Sequence, residues 1–208
     1  MTLALLHTSP AHVPVFDALR DADHPGLALR HLVHEDLLAK AREAGPEAVS
    51  GEIRDLLAGA VGDGARAVLC TCSTIGAVAE SQSATLGVPV LRVDRPMAAA
   101  AAAQDRVVVL ASITNTLAPT LALLADEAGD RPVDVRTVVV DGAWARFEAG
   151  DRDGYLDLVA TAADAVTDSD VIVLAQASMA DAVTRTVTRI PVLSSPRPGL
   201  AAAAVAAR

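Results

Sequence analysis

Lysine is all but missing from this chain: Lys40 stands alone, and 17 basic residues face 26 acidic ones for a formal charge of -9. A phosphate backbone is gripped by clustered Lys and Arg, so this balance excludes nucleic acid as a partner. Aromatic residues are nearly as scarce, with Phe16, Trp144, Phe147 and Tyr155 making the full set. The core must therefore be built from Ala, Val and Leu, which suits α/β layers. Cysteine occurs only at Cys70 and Cys72, too few and too close for a disulfide scaffold. No uncharged apolar run reaches the roughly 20 residues of a membrane span. The longest candidate, RPMAAAAAAQD, is alanine flanked by charges. The opening MTLALLHTSP has no basic segment and too short an apolar one for a secretory signal, so the chain is expected to be cytoplasmic, without membrane contact. Missing as well are the G-x-x-x-x-G-K-[ST], G-x-G-x-x-G and G-x-S-x-G patterns, which removes a phosphate loop, a dinucleotide fingerprint and a serine-hydrolase elbow.

What the chain does have is a regular alternation. Short β-type runs stand at 2–7 (TLALLH), 27–33 (LALRHLV), 65–71 (ARAVLCT) and 88–93 (VPVLRV). They recur at 106–112 (RVVVLAS), 134–140 (DVRTVVV), 170–176 (DVIVLAQ) and 190–195 (IPVLSS). Segments of helical period lie between them, among them Val13 to Arg20, Leu37 to Ala44 and Val49 to Ala60. Strands alternating with helices predict parallel sheets.

The two halves also resemble each other. VPVLRVDRPMAAAAAA from Val88 aligns without a gap on IPVLSSPRPGLAAAAV from Ile190, and VLCTCSTIGAV from Val68 on VLAQASMADAV from Val173. The expected fold is α/β: two similar lobes, each a four-stranded parallel sheet flanked by helices, related by an internal pseudo-twofold duplication. The first lobe is placed at 1–95, the second at 96–195, and the final helix, 196–208, packs back on the first.

In open parallel sheets ligands bind beyond the carboxyl ends of the strands. Here those ends are His7-Thr8-Ser9, His34-Glu35-Asp36, Cys70 to Thr74, Ser112 to Thr116 and Gln176 to Ser178; apart from Glu35, Asp36 and the histidines they carry small hydroxyls, amides and thiols, a set suited to gripping a small carboxylate. A helix that starts near Ser73 presents unpaired N–H groups, and these favour an anion or a thiolate. Cys72, just before it, is therefore expected to be the more acidic thiol, its ordinary value of about 8.5 being lowered at such a position. Cys70, back on the strand, reads as a packing residue. C-x-C with His7 or His34 is too thin a set for zinc, so no metal is expected. His12, His24 and His31 read as solvated surface, while His7 ends its strand either as a satisfied polar residue or as a support for the site.

The order HTSPAHVPVF, HEDLL, TCSTIG, VLASITNT, VLAQASMAD and IPVLSSPRPG resembles the aspartate/glutamate racemase superfamily, which also holds hydantoin racemases, maleate isomerases and arylmalonate decarboxylases. The resemblance spans nearly the whole chain. It implies a cofactor-independent enzyme acting on a small carboxylic acid, using two cysteines, one per lobe, with hydroxyl and amide groups binding the carboxylate. By position Cys72 matches the first thiol, and Ser73 and Thr74 match its carboxylate-binding neighbours. Ser9, Ser112, Asn115 and Thr116 fall in the corresponding loops, and His7 and Cys70 stand behind them. Where the second thiol is expected the chain has Gln176, Ala177 and Ser178, with Gln176 or Ala177 as the counterpart; Gln176 and Ser178 remain as substrate contacts.

A lone thiol does not suit two-base racemisation. Decarboxylation, or isomerisation by thiol addition, needs only one. The expected function is thus proton-transfer chemistry at the carbon beside a carboxylate, by racemisation, isomerisation or decarboxylation. The alternative is a carboxylate-binding protein whose chemistry went with the second cysteine. A symmetric homodimer is the commonest assembly for such enzymes.

Overall fold

The computed structural model describes all 208 residues, which divide into two compact units, Met1–Val93 with Pro196–Arg208 and Asp94–Ser195. The first unit runs β1 (Thr2–His7), α1 (His12–Asp23), β2 (Ala28–Val33), α2 (Glu35–Ala44), α3 (Ser50–Gly62), β3 (Ala65–Cys70), α4 (Ser73–Glu80), α5 (Ser83–Leu86) and β4 (Val90–Arg92). The second runs α6 (Arg95–Ala102), β5 (Arg106–Ala111), α7 (Leu117–Ala128), β6 (Asp134–Val139), α8 (Ala143–Glu148), α9 (Arg152–Asp164), β7 (Val171–Leu174) and β8 (Val192–Leu193). The last helix, α10 (Pro196–Ala206), belongs to the first unit.

Each unit holds one four-stranded sheet, ordered β2-β1-β3-β4 in the first and β6-β5-β7-β8 in the second, with every pairing parallel. The fold is thus α/β with two sheets of the same topology. The two central strands of each sheet are apolar on both faces, as strands covered on both sides by helices must be. In the first unit Ala4, Leu6, Val68 and Cys70 face Leu37 of α2, Ile53 and Leu57 of α3 and Ile75 of α4. The alternate residues Leu3, Leu5, Ala67 and Leu69 face Phe16 of α1 and Leu200 and Ala203 of α10. The second unit repeats this division. Val108, Leu110, Ile172 and Leu174 pack on Tyr155, Leu156 and Val159 of α9, while Val107, Val109 and Val173 pack on Met97 and Ala98 of α6 and Leu123 and Leu124 of α7. Thus α6 covers the second sheet as α10 covers the first.

The outer strands β4 and β8 are shorter than the runs at 88–93 and 190–195. Pro89 and Pro191 have no N–H to give to a ladder. Their carbonyls instead receive the Val68 and Ile172 N–H groups, at 2.9 Å each, and pairing begins at the next residue. A second difference concerns the segment after β7, where Ala177–Arg185 forms a 3-10 run in place of an α-helix. No helix is long and apolar enough to cross a membrane.

Candidate active site

β3 carries the chain to Thr71 and Cys72, and α4 begins at Ser73, so Cys72 occupies the cap position with extended backbone (φ -110, ψ 118). Its side chain makes no capping hydrogen bond. The first N–H groups of α4 have no intrahelical acceptor, which leaves a donor set open to an anion. The Cys72 side chain is half-buried, packed on the cluster that contains Leu37, Ile53 and Ile75. Cys70 is fully buried, and its thiol donates to the Cys72 carbonyl at 3.6 Å, bracing the turn from below. The accessible thiol is therefore Cys72. Ser73 and Thr74 are half-buried beside it. Ser9, in the turn before α1, accepts the Ala11 N–H at 3.4 Å. Behind α4 the buried Arg92 of β4 lies against Gly76, where a Cβ would sit 3.2 Å from the Arg92 side chain.

The second unit arranges its loops differently. Gln176 is extended (φ -124, ψ 138) at the head of the 3-10 run, and its Oε1 accepts both the Ser112 N–H at 2.7 Å and the Ser112 hydroxyl at 2.8 Å. A backbone N–H can only donate, so the carboxamide is fixed with its NH2 directed away from Ser112. Ser178 meets the Tyr155 hydroxyl at 2.9 Å. Burial raises the Tyr155 phenol above its ordinary value and keeps it neutral. The Thr116 hydroxyl is spent on the Ile113 carbonyl at 2.7 Å, holding the turn, while Asn115 is exposed.

Strand registers decide which residue corresponds to Cys72. Leu6 of β1 pairs with Cys70, and Leu110 of β5 pairs with Leu174. Two residues further on stand Cys72 and Gln176, each extended and each capping the next element. Gln176, not Ala177, is the counterpart.

Of the histidines expected at the surface, His12 and His31 are instead drawn against His7. His7 is fully buried, with Nδ1 2.8 Å from the Thr71 hydroxyl and Nε2 2.8 Å from His31 Nδ1. Burial, reinforced by the neighbouring His12 and His31, pushes its pKa down to about 3. His12 is packed edge-on to His7 with ring centroids 6.1 Å apart, its Nδ1 is buried without a partner, and burial lowers its pKa too. His31 is also largely covered and reaches Asp17 at 3.4 Å. His24 is half-buried, in a depression it lines with Asp23 and Arg208. These ring contacts join β1, α1 and β2, and their one trace in the sequence is a histidine closing an otherwise apolar strand, LALLH. No group of three or more His, Cys, Asp or Glu side chains is arranged to hold a metal ion.

A family model described as Asp/Glu/Hydantoin racemase matches residues 8–206. No curated protein sequence matches the chain. Among solved structures the chain is similar to a Yersinia pestis protein provisionally assigned as an Asp/Glu racemase, at 15% identity and a TM-score of 0.71, covering 99% of this chain and 98% of that one. It is similar to a glutamate racemase isoform from Bacillus anthracis at 14% identity and 0.68, with 98% and 80% covered. It is similar to arylmalonate decarboxylase at 20% identity and 0.62, with 100% and 93% covered. At these identities the likenesses establish the fold.

Proposed function

The chain belongs to the Asp/Glu/hydantoin racemase family, and on that premise we propose that it is a cofactor-independent enzyme of the racemase, isomerase or decarboxylase kind. It moves a proton at the carbon beside the carboxylate of a small acid, with Cys72 as the group that carries the proton. The observation behind this reading is the setting of Cys72, an accessible thiol at an uncapped helix start, backed by an apolar cluster. The N–H groups of that helix start, with the Ser73 and Thr74 hydroxyls and Ser9, are donors for the carboxylate. The second unit holds donors of its own in Asn115, Ser178 and the NH2 of Gln176, while Ser112, whose N–H and hydroxyl both go to Gln176 Oε1, positions that amide and Thr116 supports the turn.

Gln176 at the position equivalent to Cys72 favours chemistry that one thiol completes. In decarboxylation a C–C bond breaks, carbon dioxide leaves, and the electron pair stays behind as an enediolate that preorganised donors stabilise. Cys72 then delivers its proton to carbon and regains one from solvent. Addition of the Cys72 thiolate to a double bond, with rotation and release, is the isomerase form of the same economy.

Proton magnetic resonance in deuterated water, with a panel of amino acids, hydantoins, malonates and maleate, tests the reading. It expects deuterium entry, isomerisation or carbon dioxide loss with at least one acid, abolished in Cys72→Ala. Binding of a carboxylate with no chemistry on any member would instead mark a carboxylate-binding protein.

A further inference from the structure

The inner end of β1 carries a hydrogen-bonded chain that the thiol chemistry does not use. It runs from Thr71 Oγ1 to His7 Nδ1 at 2.8 Å, from His7 Nε2 to His31 Nδ1 at 2.8 Å, and from His31 Nε2 to Asp17 Oδ1 at 3.4 Å. Thr71 Oγ1 also lies 3.1 Å from the Leu6 carbonyl, which already receives the Thr71 backbone N–H at 3.0 Å. The titratable and charged groups facing this chain are His12 and Asp17 of α1, with Arg20 3.1 Å from Asp17, and His31 of β2. Phe16 closes the apolar side, its ring 5.6 Å from that of His7.

A neutral imidazole has one N–H and one lone pair, an imidazolium two N–H groups, so the proton count fixes the direction of every bond. With both rings neutral, the Thr71 hydroxyl donates to His7 Nδ1, His7 Nε2–H donates to His31 Nδ1, and His31 Nε2–H donates to Asp17. With one more proton on the chain, His31 carries two N–H groups. It then donates to both Asp17 and His7 Nε2. His7 in turn donates from Nδ1 to Thr71, whose hydroxyl must turn to the Leu6 carbonyl. That carbonyl holds the Thr71 N–H in both arrangements, so neither state leaves a group of this chain of bonds unpaired.

We propose that His7 is the tautomeric element of a proton-linked switch, in which a proton gained by the His31–Asp17 pair reverses the hydrogen bonds at His7 and reorients the Thr71 hydroxyl. One proton enters from solvent. The proton bridging the two rings passes from His7 Nε2 to His31 Nδ1, the entering proton is the one that ends on His7 Nδ1, and the Thr71 hydroxyl keeps its own proton and turns it to the Leu6 carbonyl; no heavy-atom bond changes. The depressed basicity of His7 keeps that ring neutral, so it answers by tautomer and not by charge. Thr71 directly precedes Cys72, and the switch sets the dipole beneath the thiol turn. It goes beyond the proposed reaction and does not depend on it.

Nitrogen-15 magnetic resonance of the histidine-labelled full chain, titrated from pH 9 to pH 5, reads each ring nitrogen directly. The expected result is conversion of His7 from Nε2–H to Nδ1–H with the same midpoint at which His31 gains its second proton. Asp17→Asn, which removes the carboxylate facing His31 Nε2, should displace the His7 conversion and the His31 protonation together. His31→Phe should hold His7 in one tautomer throughout. A His7 tautomer that stays constant while His31 titrates, a His31 that gains no proton by pH 5, or a His7 conversion that survives in His31→Phe would overturn the proposal. Should His31→Phe fail to fold, the first two measurements decide.

Discussion

Mild acid should weaken this protein, and His7 should account for much of the effect. The ring is fully buried at the end of β1, and its pKa is pushed down to about 3 by burial and by the adjacent His12 and His31. A base whose folded pKa lies below its unfolded one stabilises the native state above the unfolded value and withdraws that stability as the pH falls. The window therefore runs from about 6.5, the unfolded value, downward. Between pH 7 and pH 5 the linkage relation withdraws about 2 kcal/mol for one such histidine. His12, shifted in the same direction by burial, adds to the loss. Carboxylates lowered by ion pairing, such as Asp36 beside Lys40 and Asp170 beside Arg106, lose their share only nearer their own range, below about pH 4. Urea unfolding followed by circular dichroism at pH 7, 6 and 5 measures the slope. The comparison is with His7→Leu, whose stability should be lower at pH 7 but should fall by about 2 kcal/mol less on the way to pH 5. Comparing slopes removes the constant cost of the lost hydrogen bonds. Equal slopes in the two proteins would refute the assignment.

Two further expectations concern stability. Gly199 in α10 lies so close to β4 that an added Cβ would stand 2.4 Å from the Val93 carbonyl oxygen, a backbone atom that cannot swing aside. Gly199→Ala should cost about 1–3 kcal/mol in urea unfolding, and an unchanged midpoint would contradict the close packing of α10 on the first sheet. Asp151 caps α9 by accepting the Gly154 N–H at 2.9 Å and also pairs with Arg146. Asp151→Ala should cost about 1 kcal/mol, and Asp151→Asn, which keeps the capping oxygen, should recover most of it.

The strands were legible because each is a short apolar run bounded by turn residues, and the thiol turn because hydroxyls and cysteine interrupt such a run where a helix must start. Phase within the buried strands was not. A gapless alignment sets Val68-Leu69 on Val173-Leu174 and puts Cys72 opposite Ala177. The parallel registers, Leu6 with Cys70 and Leu110 with Leu174, shift that pairing by one residue to Gln176. A strand covered on both faces accepts any apolar residue at any position, so a shared Val-Leu carries little phase information. β3 also carries an irregularity near Arg66 that a gapless comparison cannot register. The histidine cluster was hidden for a different reason. His7 and His31 are 24 residues apart, His7 and Thr71 are 64 apart, and only the order β2-β1-β3 brings them together. Polar residues such as His12 and His31 read as surface until the partners that satisfy or enclose them are known.

The measurement that bears most directly on the central claim is turnover by Cys72→Ala, set beside the unaltered chain on whichever acid of the panel reacts, with circular dichroism to confirm an intact fold. Loss of a positioned proton carrier predicts a fall of about 10²–10⁴-fold in rate. Activity retained within about threefold would show that the thiol is not the group that moves the proton, and the account of the site would fail with it.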